Sequence, residues 1–370
     1  MRGIMDLRST DRIPVRVRPL LRKGIIWRTF FGNGRSATVI CFVGWKIKPK
    51  RQKGCTMMKK VFAVLMTLTL VLALLAGCGN TATEEPAQEE TAETTEAAEA
   101  EETAAEFDAD TAILVVSFGT SYNDSREATI GAIENAIRES FPNYEVRRAF
   151  TSQIIIDKLA ERDGLEIDNV TQALDRAAAD GIRNLIVQPT HLMDGYEYND
   201  LKNELANYED TFSQIILGEP LLTSDDDFEA VINAITADTA SYDDGKTAVV
   251  FMGHGTEADS NAVYAGLQEK ITADGYDNYY IGTVEATPSL DDVIAALNGK
   301  DYTRVVLEPL MVVAGDHANN DMAGDEGDSW KSILTGKGYE VECVLEGLGQ
   351  KPAIQSLYVD HVKAAVDQLA

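Results

Sequence analysis

The sequence predicts an α/β protein made of two similar, doubly wound halves, each on a parallel four-stranded sheet, facing one another across a central cleft. Three observations carry this expectation. From about residue 110, short apolar runs alternate with amphipathic stretches of helical period. Eight such runs occur, and the series restarts after "SYDDGK" (241–246). Short motifs of the first series also reappear in the second.

The first run, "AILVVSF" (112–118), is apolar on both of its alternating faces and reads as a buried parallel strand. "SREATIGAIENAIRESF" (125–141) follows with helical spacing. "EVRRAFT" (145–151), "IRNLIVQPT" (182–190) and "QIILGEPLL" (214–222) complete the first half. The second half runs "TAVVFMGHGT" (247–256), "NYYIGTVEAT" (278–287), "TRVVLEPLMVV" (303–313) and "YEVECVLEGL" (339–348). Laying "SFGT" (117–120) over "GHGT" (253–256) sets Phe118 against His254. "VRRAFTS" (146–152) over "YIGTVEA" (280–286) sets Thr151 against Glu285. "VQPTHLMDGYEYND" (187–200) over "LEPLMVVAGDHANN" (307–320) sets Glu197 against His317. A duplicated domain is expected, with halves 109–242 and 243–370; one eight-stranded sheet is the alternative.

The region before these halves has a different composition. Residues 1–77 hold 16 of the 33 Lys+Arg and 2 of the 60 Asp+Glu, leaving 17 bases against 58 acids, −41, in the rest. Such a body repels phosphate and excludes nucleic acid as a partner. "MMKKVFAVLMTLTLVLALLAGCGN" (57–80) has a basic start at Lys59 and Lys60 and an apolar run from Val61 to Ala76. That run is shorter than the roughly 20 residues of a spanning helix and has the form of a secretory signal peptide (57–77). It ends in Leu75-Ala76-Gly77-Cys78, which looks like a bacterial lipobox, so Cys78 is the expected lipidation site. A plain membrane anchor is the alternative, and either places the body extracytoplasmically. Export signals stand at the start of a chain, so Met57 or Met58 is the expected start and 1–56 a doubtful extension. Residues 78–108 join the lipid site to the body; 81–106 contain ten glutamates among Thr, Ala, Gln and Pro, an expected acidic tether. Only Cys343 remains in the body, so neither an internal disulfide nor a thiolate cage is expected there.

In open parallel sheets, ligands bind beyond the carboxyl ends of the strands. His254, Glu285 and His317 fall at or past three such ends in the second half, with Phe118, Thr151, His191 and Glu197 opposite. Two imidazoles and a carboxylate suit an open site for Co²⁺, Fe²⁺, Ni²⁺ or Zn²⁺. Each residue also has a plainer reading. His254 could shape the "GHGT" turn, Glu285 cap a helix near Ser289, His317 start a solvated helix, and His191 belong to the core. His361, in "LYVDHVKAAVDQL" (357–369), is expected on the surface, and Asp316, Asp325, Glu326 and Asp328 in a solvated loop. No GxxxxGK[ST] and no strand-borne GxGxxG is present, so a nucleotide cofactor is not expected. No GxSxG surrounds Ser117 or Ser121, which argues against a serine hydrolase.

"ILVVSFGTSYNDSREATIGAIE", "PTHLMDGYEYNDL", "FMGHGTEADSNAVYAGLQ" and "LEPLMVVAGDHANNDMAGDEGDSWKS" together closely resemble the anaerobic cobalt chelatases of the CbiK type, across 110–370. The resemblance implies a chelatase-like fold of two Rossmann-like halves and the insertion of Co²⁺, or Fe²⁺ or Ni²⁺, into sirohydrochlorin, as in anaerobic cobalamin biosynthesis. It implies metal binding by His254, Glu285 and His317, proton acceptance by His254, and a further acidic cleft position at Glu197. Phe118, Gly119, Thr120, His191 and Met252, with Leu192 and Met311, are the expected ring contacts. Arg126 and Arg148 are the expected counter-charges for its eight carboxylates. The leader departs from the simplest family members. It leaves open a binding lipoprotein for metal, haem or a corrinoid, working with a transporter and with little turnover. A homo-oligomer also remains open, and haem has no support in the sequence.

Overall fold

The computed structural model describes residues 107–369 and, upstream, the backbone of strands β1 (Ile26–Gly32) and β2 (Arg35–Cys41). These two pair antiparallel, Ile26 opposite Cys41. The signal segment 57–77, Cys78 and the acidic tether lie outside the described residues. The described residues 107–369 belong to one compact unit.

That unit opens with β3 (Thr111–Ser117), every residue of which is buried. Helix α1 (Asn123–Arg126) passes through a π-turn (Glu127–Gly131) into α2 (Ala132–Ser140). Strand β4 (Glu145–Phe150), helices α3 (Gln153–Asp163) and α4 (Val170–Ala179), and β5 (Asn184–Pro189) follow. Helix α5 (Tyr196–Ala206), β6 (Gln214–Leu217) and α6 (Asp225–Thr239) close the first series. The second series is β7 (Thr247–Gly253), α7 (Ala262–Ala273), β8 (Tyr279–Thr283), α8 (Leu290–Leu297) and β9 (Arg304–Pro309). A π-turn (Ala318–Met322), α9 (Trp330–Gly336), β10 (Glu340–Cys343) and α10 (Pro352–Val366) end it.

The strands form two separate parallel sheets, ordered β4-β3-β5-β6 and β8-β7-β9-β10. Each therefore reads second-first-third-fourth along its own series, and no single eight-stranded sheet forms. The central strands are apolar on both faces because helices cover both faces, which is why β3 and β7 are buried end to end.

Hydrogen bonding past the strand ends corrects one pairing drawn from the sequence. Thr151 N–H donates to Ser117 O and Ser152 N–H to Phe118 O, while Val284 N–H donates to Gly253 O and Glu285 N–H to His254 O. The structural counterpart of Glu285 is thus Ser152, and Thr151 matches Val284. A one-residue slip turns a side chain to the opposite face of a strand. Accordingly Thr151 does not line the cleft, and its hydroxyl is buried.

The halves of the sequence repeat are not the units of packing. Helix α10, the end of the second series, lies against α2, α6 and β5 of the first. Helix α6 in turn packs on α7. One apolar cluster therefore runs through Val115 and Ile186, Val231 and Ile235, Phe251 and Ile281, and Tyr358 and Val362. Polar ties reinforce it. Lys351 donates to Asp238 at 2.7 Å and lies 3.6 Å from the buried Glu308. His361 places Nε2 2.9 Å from Asp227 Oδ1 and Nδ1 3.2 Å from Glu219 O. Its side chain is only 12% exposed, so the expected surface histidine is in fact an interhelix clamp. Burial alone would push the Asp227 carboxyl up, but His361 and the Ser224 N–H hold it net below its ordinary value.

Tyr358 is fully buried and its hydroxyl donates to Thr190 O at 3.0 Å. Denaturant unfolding of Tyr358→Phe is expected to show a loss of about 1 kcal/mol, from the lost bond and the unpaired carbonyl. Tyr358→Ala is expected to lose roughly 3–5 kcal/mol through the cavity it leaves.

Candidate metal centre and cleft

The ends of β3 and β5 face those of β7, β8 and β9 across a cleft of about 580 Å³. Its second-half wall carries the three expected donors. The ladder between β7 and β8 continues one step past the strands, through the Glu285 N–H to His254 O bond at 2.9 Å, and sets these residues side by side. Gly255 then turns the chain with φ +85°, a left-handed value that a Cβ resists, and a Cβ there would lie 2.8 Å from Ala286 N. The first half makes the same turn at Gly119, φ +96°, just after Phe118. His317 arrives from β9, at the head of the 318–322 π-turn. Such turns recur at functional sites.

One ligand atom from each of His254, Glu285 and His317 falls within 4.8 Å of the other two. His254 Nε2 lies 4.0 Å from Glu285 Oε2, and the imidazole centroids are 4.6 Å apart at 74°. The hydrogen bonds decide which nitrogens are free. His254 Nδ1 faces Gly255 O at 2.7 Å, and a carbonyl only accepts, so Nδ1 carries the proton and Nε2 the lone pair. His317 Nδ1 faces Asp321 Oδ2 at 2.7 Å, so it too donates and leaves Nε2 free. A carboxylate behind an imidazole orients the ring and raises its basicity as a ligand. Asp321 was not singled out from the sequence, although its four-residue spacing on a helical turn is the signal that finds it. Zinc-type ligand bonds of about 2.1 Å put neighbouring donors about 3.4 Å apart in a tetrahedral shell. The trio is more open than that, and the His254 and Glu285 side chains are about half exposed. This is a donor set open to solvent rather than a closed cage.

The facing wall is mixed. Phe118, Gly119, Thr120, His191, Leu192 and Glu197 line it, with Met311 on the second half. Phe118 remains 49% exposed, a large ring offered to the cleft. Glu197 stands in the first turn of α5. His191 has both ring nitrogens buried without a hydrogen-bond partner, and burial pushes its imidazole down to about 4. It therefore lines the cleft as a neutral group.

One expected ring contact and both expected counter-charges stand elsewhere. Met252 is fully buried in the core beneath β7, because its side chain points to the face covered by Val293, Trp330 and their neighbours. Arg148 is turned away from the cleft and clamps Glu134 with two bonds of 2.6 Å. Arg126 is 6% exposed and bonded to Asn123 and Glu127. Neither arginine lines the cleft, so neither supplies counter-charge there. Both sit on elements adjoining the cleft, but their side chains serve the helix packing. Of the loop acids, Asp316 does line the cleft and is approached by Tyr122 Oη at 3.5 Å. Trp330 is buried against Gly282.

Two outcomes follow from this geometry. Because His191 titrates near 6.5 when unfolded and about 4 when folded, the unfolded chain binds more protons between these values. Stability should fall as pH drops through that window, and His191→Gln should flatten the fall in pH-dependent urea unfolding. Gly255→Ala should cost about 1–3 kcal/mol in the same assay, through backbone strain and the contact with Ala286.

The chain is similar to several known proteins. A family model described as cobalt chelatase (CbiK) matches residues 111–367. The sirohydrochlorin cobaltochelatase of Salmonella typhimurium is 41% identical over 256 residues, 69% of this chain and 96% of that protein. The sirohydrochlorin cobaltochelatase CbiKC of Nitratidesulfovibrio vulgaris is 34% identical over 259 residues, 70% of this chain and 91% of that one. Among solved structures, SirB from Bacillus subtilis with Fe³⁺ aligns at a TM-score of 0.49 and 13% identity, covering 69% of this chain and 95% of its own. From the matched span and these identities, the chain belongs to the CbiK cobalt chelatase family.

Proposed function

We propose that the protein is a sirohydrochlorin cobaltochelatase, in which His254, Glu285 and His317 hold the incoming divalent ion. The observation that carries this reading is the convergence of three donor atoms on the wall of a ring-sized cleft, with both Nε2 lone pairs left free. The metal is a substrate here. An open donor set suits an ion that must be handed on, because its remaining positions are free for the nitrogens of the ring.

Insertion of M²⁺ expels two pyrrole N–H protons, so metal transfer and deprotonation are coupled. As the ion passes to the ring nitrogens, His254 Nε2 loses its metal and regains its lone pair. That freed lone pair can then take the first proton. Glu197, on the facing wall, is the acceptor assigned to the second. Phe118, Leu192 and Met311 press on the faces of the macrocycle, and Gly119 and Thr120 border it. Neutral His191 adds a polar edge without charge. Cobalt, iron(II) and nickel(II) all accept this donor set.

The leader adds a location to this reading: Cys78 carries lipid and the acidic tether holds the catalyst at the outer face of the cell membrane. Incorporation of labelled palmitate into the wild type but not into Cys78→Ala is the expected result.

In an anaerobic assay with excess Co²⁺ and sirohydrochlorin, many turnovers per chain are expected. A spectral change that stops at one equivalent would instead mark a binding protein. His254→Ala, Glu285→Ala and His317→Ala should each lower kcat/KM by roughly 100-fold or more. Asp321→Ala leaves the ligands in place and should weaken Co²⁺ binding by roughly 10- to 100-fold, read by competition with a chromogenic chelator.

A further inference from the structure

We propose that a second pocket, adjoining the cleft, receives peripheral carboxylates of the macrocycle, with Lys158 as its principal cation and Arg162 beside it. The inference rests on the tetrapyrrole reading above and supplies the counter-charge that Arg126 and Arg148 do not.

The pocket encloses about 670 Å³ between the 121–125 loop, α3 and the segments around Asn319 and Gln350. Ser121 and Tyr122 line both it and the cleft, so a single short stretch of chain forms the partition. Across that partition Tyr122 Oη meets Asp316 Oδ1 at 3.5 Å. A ring edge resting on Tyr122 therefore has the donor trio on one side and this pocket on the other.

The two cavities differ in charge. Glu197, Glu257, Glu285 and Asp316 line the cleft, with no lysine or arginine among its lining residues. Lys158 and Arg162 line the neighbour, with Asp124 as its one carboxylate. Lys158 is exposed and has no ion pair among the described residues. Arg162 donates to Asn123 Oδ1 at 2.7 Å and to Asp163. The same Asn123 oxygen accepts from buried Arg126 at 2.9 Å, so two guanidinium groups converge behind the pocket wall. Glu127 and Asp163 offset these two guanidiniums, which leaves Lys158 and Asp124, neither of them in an ion pair among the described residues, as the remaining charges of the pocket. Ser125 Oγ, at the same wall, is buried without a partner.

The chemistry of the two substrates calls for this division. A divalent cation requires a negative locale and a polycarboxylate a positive one, and local charge near low-dielectric walls prevails over the field of the whole chain. With −41 over residues 78–370, the chain repels the ring at long range, so affinity for it depends on short-range contacts.

The test titrates metal-free sirohydrochlorin and its octamethyl ester into the full chain, following the absorbance of the ring, for the wild type, Lys158→Glu and Arg162→Gln. The expected result is that Lys158→Glu weakens binding of the free acid by roughly tenfold or more, the value of one charge-assisted contact. Affinities for the ester and for Co²⁺ should not change. Arg162→Gln should act in the same direction but less, since Asp163 already offsets it. Equal free-acid affinity in Lys158→Glu and wild type overturns the proposal, as does a parallel fall for acid and ester. A wild type that binds the ring without turnover removes the chelatase reading and leaves the pocket assignment standing. A wild type that binds neither form of the ring removes both.

Discussion

The site depends on one backbone contact, the bond from Glu285 N–H to His254 O just past the ends of β7 and β8. Parallel pairing fixes the separation of neighbouring strands, and this bond carries that spacing one residue beyond the sheet. Two donor side chains from distant parts of the sequence are thereby held side by side without a dedicated scaffold. The left-handed turn at Gly255 then frees its carbonyl to accept His254 Nδ1–H, which selects the tautomer. Backbone geometry thus decides where His254 and Glu285 stand and which nitrogen His254 presents, while the Asp321 carboxylate does the latter for His317.

The first half makes the same backbone arrangement with different chemistry. Ser152 N–H bonds Phe118 O as Glu285 N–H bonds His254 O, and Gly119 repeats the turn of Gly255. Where one wall offers an imidazole and a carboxylate, the other offers the aromatic ring of Phe118, and Ser152 at the position of Glu285 does not line the cleft. One backbone arrangement carrying different side chains gives a cleft with one donor-bearing wall and one largely apolar wall. That asymmetry suits a reaction whose two substrates are a hydrated ion and a flat macrocycle.

Much of this was legible in the sequence, and the failures have physical causes. The eight strands were readable because both faces of β3 and β7 are covered, which makes them continuous apolar runs. The trio His254, Glu285 and His317 was readable because parallel sheets gather their carboxyl ends. Side-chain direction was less accessible. Met252 lies two positions from His254 along the strand, and only the sheet shows that it points into the core. Arg148 is captured by Glu134 from a helix that follows β3, a pairing no local spacing announces. His361 looked solvated because its helix is amphipathic, yet the face it occupies is covered by α6 from the other half. Residues whose role depends on which way the side chain points, or on partners distant in the sequence, were the ones misjudged.

The crossing of α10 onto the first series and of α6 toward the second has a mechanical consequence. The lobes share one continuous apolar interior, threaded in both directions by the chain, so they cannot swing apart like a hinged pair without uncovering it. Widening the cleft would therefore carry the cost of exposing that interior to water. The lacing of the tail across the lobes is what ties its two walls together.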